Sequence, residues 1–226
     1  MALSPSRKRY LELASKTYHE QLVLANRSGN LPDGARSYFR EHLIDPVIAA
    51  KYQFGYVARP LPGDERFAGM LSVPYLSPAG VVSLKFRSLG SQSAGGSKYA
   101  QASGQKGRLY NSNAYFNAGT KIGISEGEID AVSATEHLGL PTMGVPGAQG
   151  WQDAWKTVLK DFTTVFVFAD GDQPGRQFAY DVADAIGWRA RVVECPDGED
   201  VSSMCAAARG GELLSLMSTS NLEEDE

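Results

Sequence analysis

The sequence predicts an α/β protein in two parts: an α+β N-terminal subdomain, then a mostly parallel sheet with helices on both faces. Three observations carry this. From Lys121 onward, apolar runs of strand length alternate four times with helical patterns, an order that calls for parallel strands joined by crossover helices. Before them, residues 54 to 89 hold short β segments broken by Pro and Gly, behind a helical N-terminal stretch. Finally, three of the later strands run into carboxylates, at Glu126, at Asp170 with Asp172, and in the stretch leading to Asp200.

Residues 7 to 26 place Tyr10, Ala14, Tyr18, Leu22 and Ala25 at helical spacing, with charged residues opposite. The helix stops at SGNLPDG, a cluster of breakers. Arg7, Lys8 and Arg9 read first as a solvated helix start and second as a nucleic-acid contact. A second helix is expected from Ala35 to Leu43. Asp45 then caps a third, whose first position is Pro46, a residue pre-set for that place because its missing N–H is not needed there.

MLSVPYL and VVSLKFRSL, joined by Ser77, Pro78, Ala79 and Gly80, form a hairpin. Alternation puts Val82, Leu84 and Phe86 on one face and Ser83, Lys85 and Arg87 on the other. Residues 90 to 108 are too polar and glycine-rich to pack and read as a structureless loop, either functional or disordered. In it Lys98, Lys106 and Arg108 suit a phosphate clamp, and Tyr99 offers a ring on which a base can stack.

In the second half, strand 121–126 leads to helix 128–138, and strand 141–145 to a helix from about Trp151 to Leu159. Strand 163–169 leads to a helix opened by Pro174 and ended near Gly187, and strand 189–194 to a last helix from Val201 to Ala208. Trp151 and Trp155, four apart, read as the buried face of their helix.

Length and charge narrow the function. The 226 residues are 42% hydrophobic, enough for one large or two modest cores. The net charge of −4 conceals an asymmetry. Residues 1 to 120 hold 15 Lys and Arg against 7 Asp and Glu, and residues 121 to 226 hold 7 against 19. Such a pairing suits a polyanion whose backbone lies on the basic half while a reacting phosphate meets the acids. Two cysteines, Cys195 and Cys205, are too few for a disulfide framework or a four-cysteine zinc site and read as buried thiols. His42 and His137 lack metal-ligand spacing and read as structural or exposed. With no membrane span and no secretory signal at MALSPSRKRY, a cytoplasmic location is expected.

Side chains at the carboxyl ends of neighbouring parallel strands converge on one crevice. Acids gathered there repel one another unless a cation joins them, and Mg²⁺ takes oxygen ligands while leaving room for phosphate. Glu126, at a strand tip before Gly127, fits acid/base or metal chemistry. Asp130 lies in a first helical turn, where favouring the helix dipole and serving the site remain open alternatives. Arg176 sits near a helix start, where its charge opposes the dipole unless Asp172 or a phosphate compensates.

On those residues the chain resembles the RNA-polymerase core of a bacterial or phage DnaG-type primase with a Toprim domain, over about residues 33 to 216. ARSYFREHLIDPVIAAKYQFGYV is similar to the start of that core, and RFAGMLSVPYLSPAGVVSLKFRSL to its basic hairpin. SKYAQASGQKGRLY resembles its lysine-rich segment, and SEGEID, DGDQPGR and PDGED in that order resemble the Toprim signatures. The resemblance implies that Glu126 is the acid/base or metal-site glutamate, and that Asp170, Asp172 and Asp200 bind the catalytic Mg²⁺ or Mn²⁺. It implies also that Arg66, Arg87, Lys98 and Lys106 face nucleotide or template. The family commonly has an aspartate where this chain has Ser202, and Lys106 and Arg108 compete for one role.

The expected organisation is an N-terminal helix and linker over 1–30, a basic subdomain over 31–118, a Toprim metal-binding domain over 119–216 and an acidic tail over 217–226. The expected activity is RNA primer synthesis from NTPs on a single-stranded DNA template. A zinc element and a helicase-binding bundle are missing from the sequence, so template recognition and docking to the replicative helicase are expected from another, zinc-binding chain. The alternatives are a metal-dependent nuclease using the same crevice and a non-catalytic DNA-binding protein.

Overall fold

A computed structural model describes residues 3–89, 99–101 and 107–220. The chain divides into two compact units, residues 1–106 and 107–226.

In the first unit, α1 spans Pro5–Arg27, opened by Ser4, whose hydroxyl accepts from Arg7 N–H, with Pro5 in the first turn. Its buried stripe is Leu11, Ala14, Ser15, Tyr18 and Leu22. Helix α2 follows at Asp33–Glu41 and α3 at Pro46–Lys51. The Asp45 side chain accepts from Ile48 N–H at 2.7 Å, as the Asp-Pro start predicts. Strands β1 (Gly55–Tyr56), β2 (Leu71–Ser77), β3 (Gly80–Arg87) and β4 (Tyr99–Gln101) form an antiparallel sheet in chain order. Tyr18, Phe67, Val81, Leu84 and Phe86 fill the core between this sheet and α1.

Two expectations fail here. The β2–β3 register shifts between Tyr75 and Leu76, so Leu76 pairs with Val81 and Tyr75 with Ser83, and Val82 is the extra residue of a bulge. Val81, not Val82, therefore joins Leu84 and Phe86 in the core. The segment read as a structureless loop supplies β4, with Tyr99, Ala100 and Gln101 paired to Arg87, Phe86 and Lys85.

The second unit contains α4 (Ala114–Asn117), β5 (Lys121–Ser125), α5 (Glu128–His137), β6 (Thr142–Gly144), a 3-10 helix (Asp153–Asp161) and β7 (Thr164–Ala169). It continues through α6 (Gln173–Ile186), β8 (Ala190–Glu194), α7 (Val201–Ala206) and α8 (Gly210–Thr219). The sheet is parallel throughout in the order β6-β5-β7-β8. Strand β7 shows why both faces must be covered. Val165, Val167 and Ala169 pack with Phe178, Ala179 and Val182 of α6, while Phe166 and Phe168 pack with Val201, Met204, Leu213 and Met217 of α7 and α8.

The segment expected as an α-helix from Trp151 to Leu159 is a 3-10 helix that fully buries only Leu159. One buried anchor gives an α-helical stripe too little to hold. Trp151 and Trp155 meet edge to face at 5.9 Å and are half-buried. Both cysteines are free and buried. Among the described residues no helix is long and apolar enough to cross a membrane.

Candidate active site

The second unit carries acids on three segments that leave the same end of its sheet. Glu126 follows β5 directly, Asp170 and Asp172 follow β7, and Asp200 stands between β8 and α7. Asp130 joins them from the first turn of α5. Parallel pairing of β5, β7 and β8 puts these strand ends side by side, so the acids interact.

Burial and mutual charge act on them together. Burial raises the Asp170 carboxyl well above the ordinary range, and the charges of Asp130, Glu126, Asp200 and Asp172 push it the same way. Burial likewise raises Asp130, reinforced by Asp200 and opposed by the Ser202 N–H, which donates to Asp130 Oδ1 at 3.0 Å. Glu126, half-buried, is raised by desolvation and then by Asp172, against a hydrogen bond from the Ala148 backbone. Asp170, Asp130 and Glu126 each respond to at least one other acid of the group, so five carboxylates share one electrostatic neighbourhood.

The helix starts hold several of these acids in place. Asp172 caps α6 by accepting from Gly175 N–H at 2.7 Å, and Asp200 caps α7 by accepting from Ser203 N–H at 2.7 Å in a reciprocal capping box. Two glycines allow the close approach. A Cβ at Gly127 would stand 2.7 Å from Asp130 Oδ2. At Gly171, between the two aspartates, it would overlap the Pro196 carbonyl oxygen and lie 2.9 Å from Gly198 N. Gly171 N–H donates to Glu199 O at 2.7 Å and Gly198 N–H donates to Gly171 O at 2.8 Å, so the β7–α6 and β8–α7 loops are clasped backbone to backbone.

The donor set suits a hard divalent cation. Asp170 Oδ1 is buried and, among the described residues, meets no hydrogen-bond donor, an arrangement costly for an ionised oxygen unless a cation approaches it. Side-chain oxygens of Glu126, Asp172 and Asp200 lie in the same neighbourhood. Among the described residues, no three His, Cys, Asp or Glu side chains already stand as a ligand set.

The cations expected to meet phosphate are distributed differently. Arg176 pairs with Asp197 and with Glu194, the latter at 3.4 Å, not with Asp172 as the first-turn position suggested. Arg209, not singled out by sequence, bridges Glu199 and Glu212. Arg108 is half-buried at the start of the second unit. In the first unit, Arg66 is exposed with its guanidinium 4.6 Å over the Phe67 ring, and Arg87 lies 4.7 Å over Tyr38. The Tyr99 backbone lies in β4, and Lys98 and Lys106 lie outside the described residues. Sequence also passed over Asp64. It is buried, accepts from the hydroxyls of Tyr10 and Tyr18, and anchors the turn that carries Arg66.

Comparison with known proteins follows this geometry. Residues 123–205 match the Toprim-like family. The Gene 57 protein of Mycobacterium phage D29 is 39% identical over 153 residues, which is 66% of this chain and 97% of that protein. A DNA primase domain from Pseudomonas aeruginosa superposes with a TM-score of 0.77 at 18% identity, covering 93% of this chain and 78% of that one. The RNA polymerase domain of Mycobacterium tuberculosis primase DnaG gives 0.74 at 18% identity, covering 95% and 84%. A DnaG primase catalytic domain bound to single-stranded DNA gives 0.70 at 18% identity, covering 95% and 80%.

Proposed function

Because the chain belongs to the family of the mycobacteriophage Gene 57 protein and has the fold of a DnaG-type primase core with a Toprim domain, we propose that it synthesises RNA primers on single-stranded DNA. The observation that carries this reading is the gathering of Glu126, Asp130, Asp170, Asp172 and Asp200 at one sheet end, with a buried Asp170 oxygen lacking a donor.

In this reading Asp170, Asp172 and Asp200 would hold Mg²⁺ or Mn²⁺, which when bound would neutralise triphosphate charge and align the reacting oxygens. Glu126 either completes that metal shell or, left free of it, takes the proton from the attacking 3′-hydroxyl as that oxygen bonds to the α-phosphorus and pyrophosphate leaves. Asp130, pinned by the Ser202 N–H, places its carboxyl in the electrostatic neighbourhood of Asp170 and acts as a positioning residue. Arg66, Arg87, Lys98, Lys106 and Arg108 contact phosphates without reading sequence, and Tyr99 stacks on a base. Arg176 orders the loop around Asp197 and adds positive charge for the departing phosphate. We place this activity in the bacterial cytoplasm.

Incorporation of labelled ribonucleotides on single-stranded DNA, with Mg²⁺ and Mn²⁺ compared, tests the proposal. Glu126→Gln and Asp170→Asn should lower incorporation by at least about a hundredfold while the fold is retained. Wild-type rates in either variant would refute the site, and cleavage of the DNA without incorporation would replace the polymerase with a nuclease.

A further inference from the structure

The first unit holds a cavity of about 370 Å³ among α1, α2 and α3, remote in sequence from the strand-end acids of the second unit. Its floor is apolar, built from Leu22, Phe39, Ile44 and Ala49. Along α1 the lining residues His19, Leu22, Val23 and Asn26 fall at intervals of three, one and three, which is one helical face. That pattern is a groove between helices, of the kind that receives apolar side chains of a second chain.

The mouth is polar and mostly cationic. Arg36 and Arg40, one turn apart on α2, both line it and are both exposed. Arg36 is paired with Asp33, whose side chain is 95% exposed. Such surface pairs are worth little and exchange readily. Arg40 donates to the Ser37 hydroxyl. The acid in the lining, Asp45, already spends Oδ1 on capping α3.

Arg36 and Arg40 stand one helical turn apart on the same rim, a spacing that carboxylates one turn apart on a second helix match. We propose that this groove docks an acidic amphipathic segment of a partner protein, which seats an apolar side chain in the cavity and sets its carboxylates against Arg36 and Arg40.

The test uses the whole chain and fluorescence anisotropy with labelled helical peptides of about 14 residues, carrying leucines on one face and flanked either by glutamates or by lysines. The acidic peptide should bind at least about tenfold more tightly than the basic one, with an affinity that falls as salt rises. Arg36→Glu with Arg40→Glu should reverse the preference, and Asn26→Trp, at the mouth, should weaken the acidic peptide about tenfold or more. All three positions are exposed, and unchanged melting temperatures confirm that the variants fold. Equal binding of the two peptides, no binding at 1 mM, or indifference to Asn26→Trp would overturn the proposal. So would binding of a small probe such as phenylbutyrate with the peptides ignored, or self-association of the chain abolished by Asn26→Trp, which would assign the groove to a metabolite or to a second copy.

Discussion

Replacing Gly171 by alanine tests how the site is assembled. The added methyl would overlap the Pro196 carbonyl oxygen and stand 2.7 Å from its carbon and 2.9 Å from Gly198 N, all backbone atoms without a rotamer to change. The two loops must separate by roughly 1.5 Å to reach ordinary contact distance. Overpacking of this kind costs about 1–3 kcal/mol, and weakening the two backbone hydrogen bonds of the clasp adds roughly 1 kcal/mol each. A loss of about 3–5 kcal/mol lowers the melting temperature of a chain this size by roughly 6–20 °C. Separation also moves Asp170 and Asp172 away from Asp200, and a misplacement near 1 Å costs about a hundredfold in rate. Differential scanning fluorimetry and ribonucleotide incorporation read the two effects. Gly211→Ala is the control: it lies in α8 with open space at its Cβ, so it should be neutral or stabilise by up to about 1 kcal/mol. A Gly171→Ala protein that melts and polymerises like wild type would refute the clasp as the device that gathers the acids.

Other consequences are open to measurement. Burial and its acidic neighbours raise Asp170 in the folded state, so without metal the folded chain holds that proton where the unfolded chain has lost it. The stabilisation is complete below the ordinary carboxylate range and is lost as pH rises through the raised value, so the melting temperature in EDTA should fall from pH 5 to pH 8, and less in Asp170→Asn. Saturating Mg²⁺ or Mn²⁺ should restore it in the wild type, by about 2.7 kcal/mol at a hundred times Kd, and not in Asp170→Asn; absence of any metal effect on wild-type melting would count against the ligand assignment. Tyr18→Phe removes a buried hydroxyl that donates to Asp64 and accepts from Leu61 N–H, and urea unfolding should show a loss of about 1–3 kcal/mol. Asp45→Ala, which uncaps α3, should cost about 1 kcal/mol in the same assay.

What was legible in the sequence was what local pattern controls. Four strand–helix alternations, the Asp45-Pro46 helix start and the Ser77–Gly80 turn each declare themselves within a few residues, and the structure has them, with a 3-10 helix in place of the second α-helix. The strand-end acids were legible because parallel topology decides where strand ends go. Distant partners decided the rest. Val81 displaces Val82 because β2 imposes a bulge, and YAQ becomes β4 because Lys85, Phe86 and Arg87 offer an open edge. Arg176 finds Asp197 and Glu194 rather than the Asp172 carboxylate because the end of β8 and the residues just after it come within reach of the first turn of α6. Asp64 meets Tyr10 and Tyr18 across separations of 54 and 46 residues. Helix α8 begins with two glycines that argue against it, yet Leu213 and Met217 give it a buried stripe on the sheet.

The outer side of β6 is closed by a short piece of chain that belongs to no regular element. Tyr110 exchanges both backbone hydrogen bonds with Gly144, at 2.8 and 3.2 Å, and the Asn111 amide donates to Thr142 O at 2.8 Å. An uncovered border of this kind invites a strand from a neighbouring molecule. A fragment started at residue 119 would lose that seal and should precipitate or form fibrils, whereas one started at residue 107 keeps it and should stay dispersed.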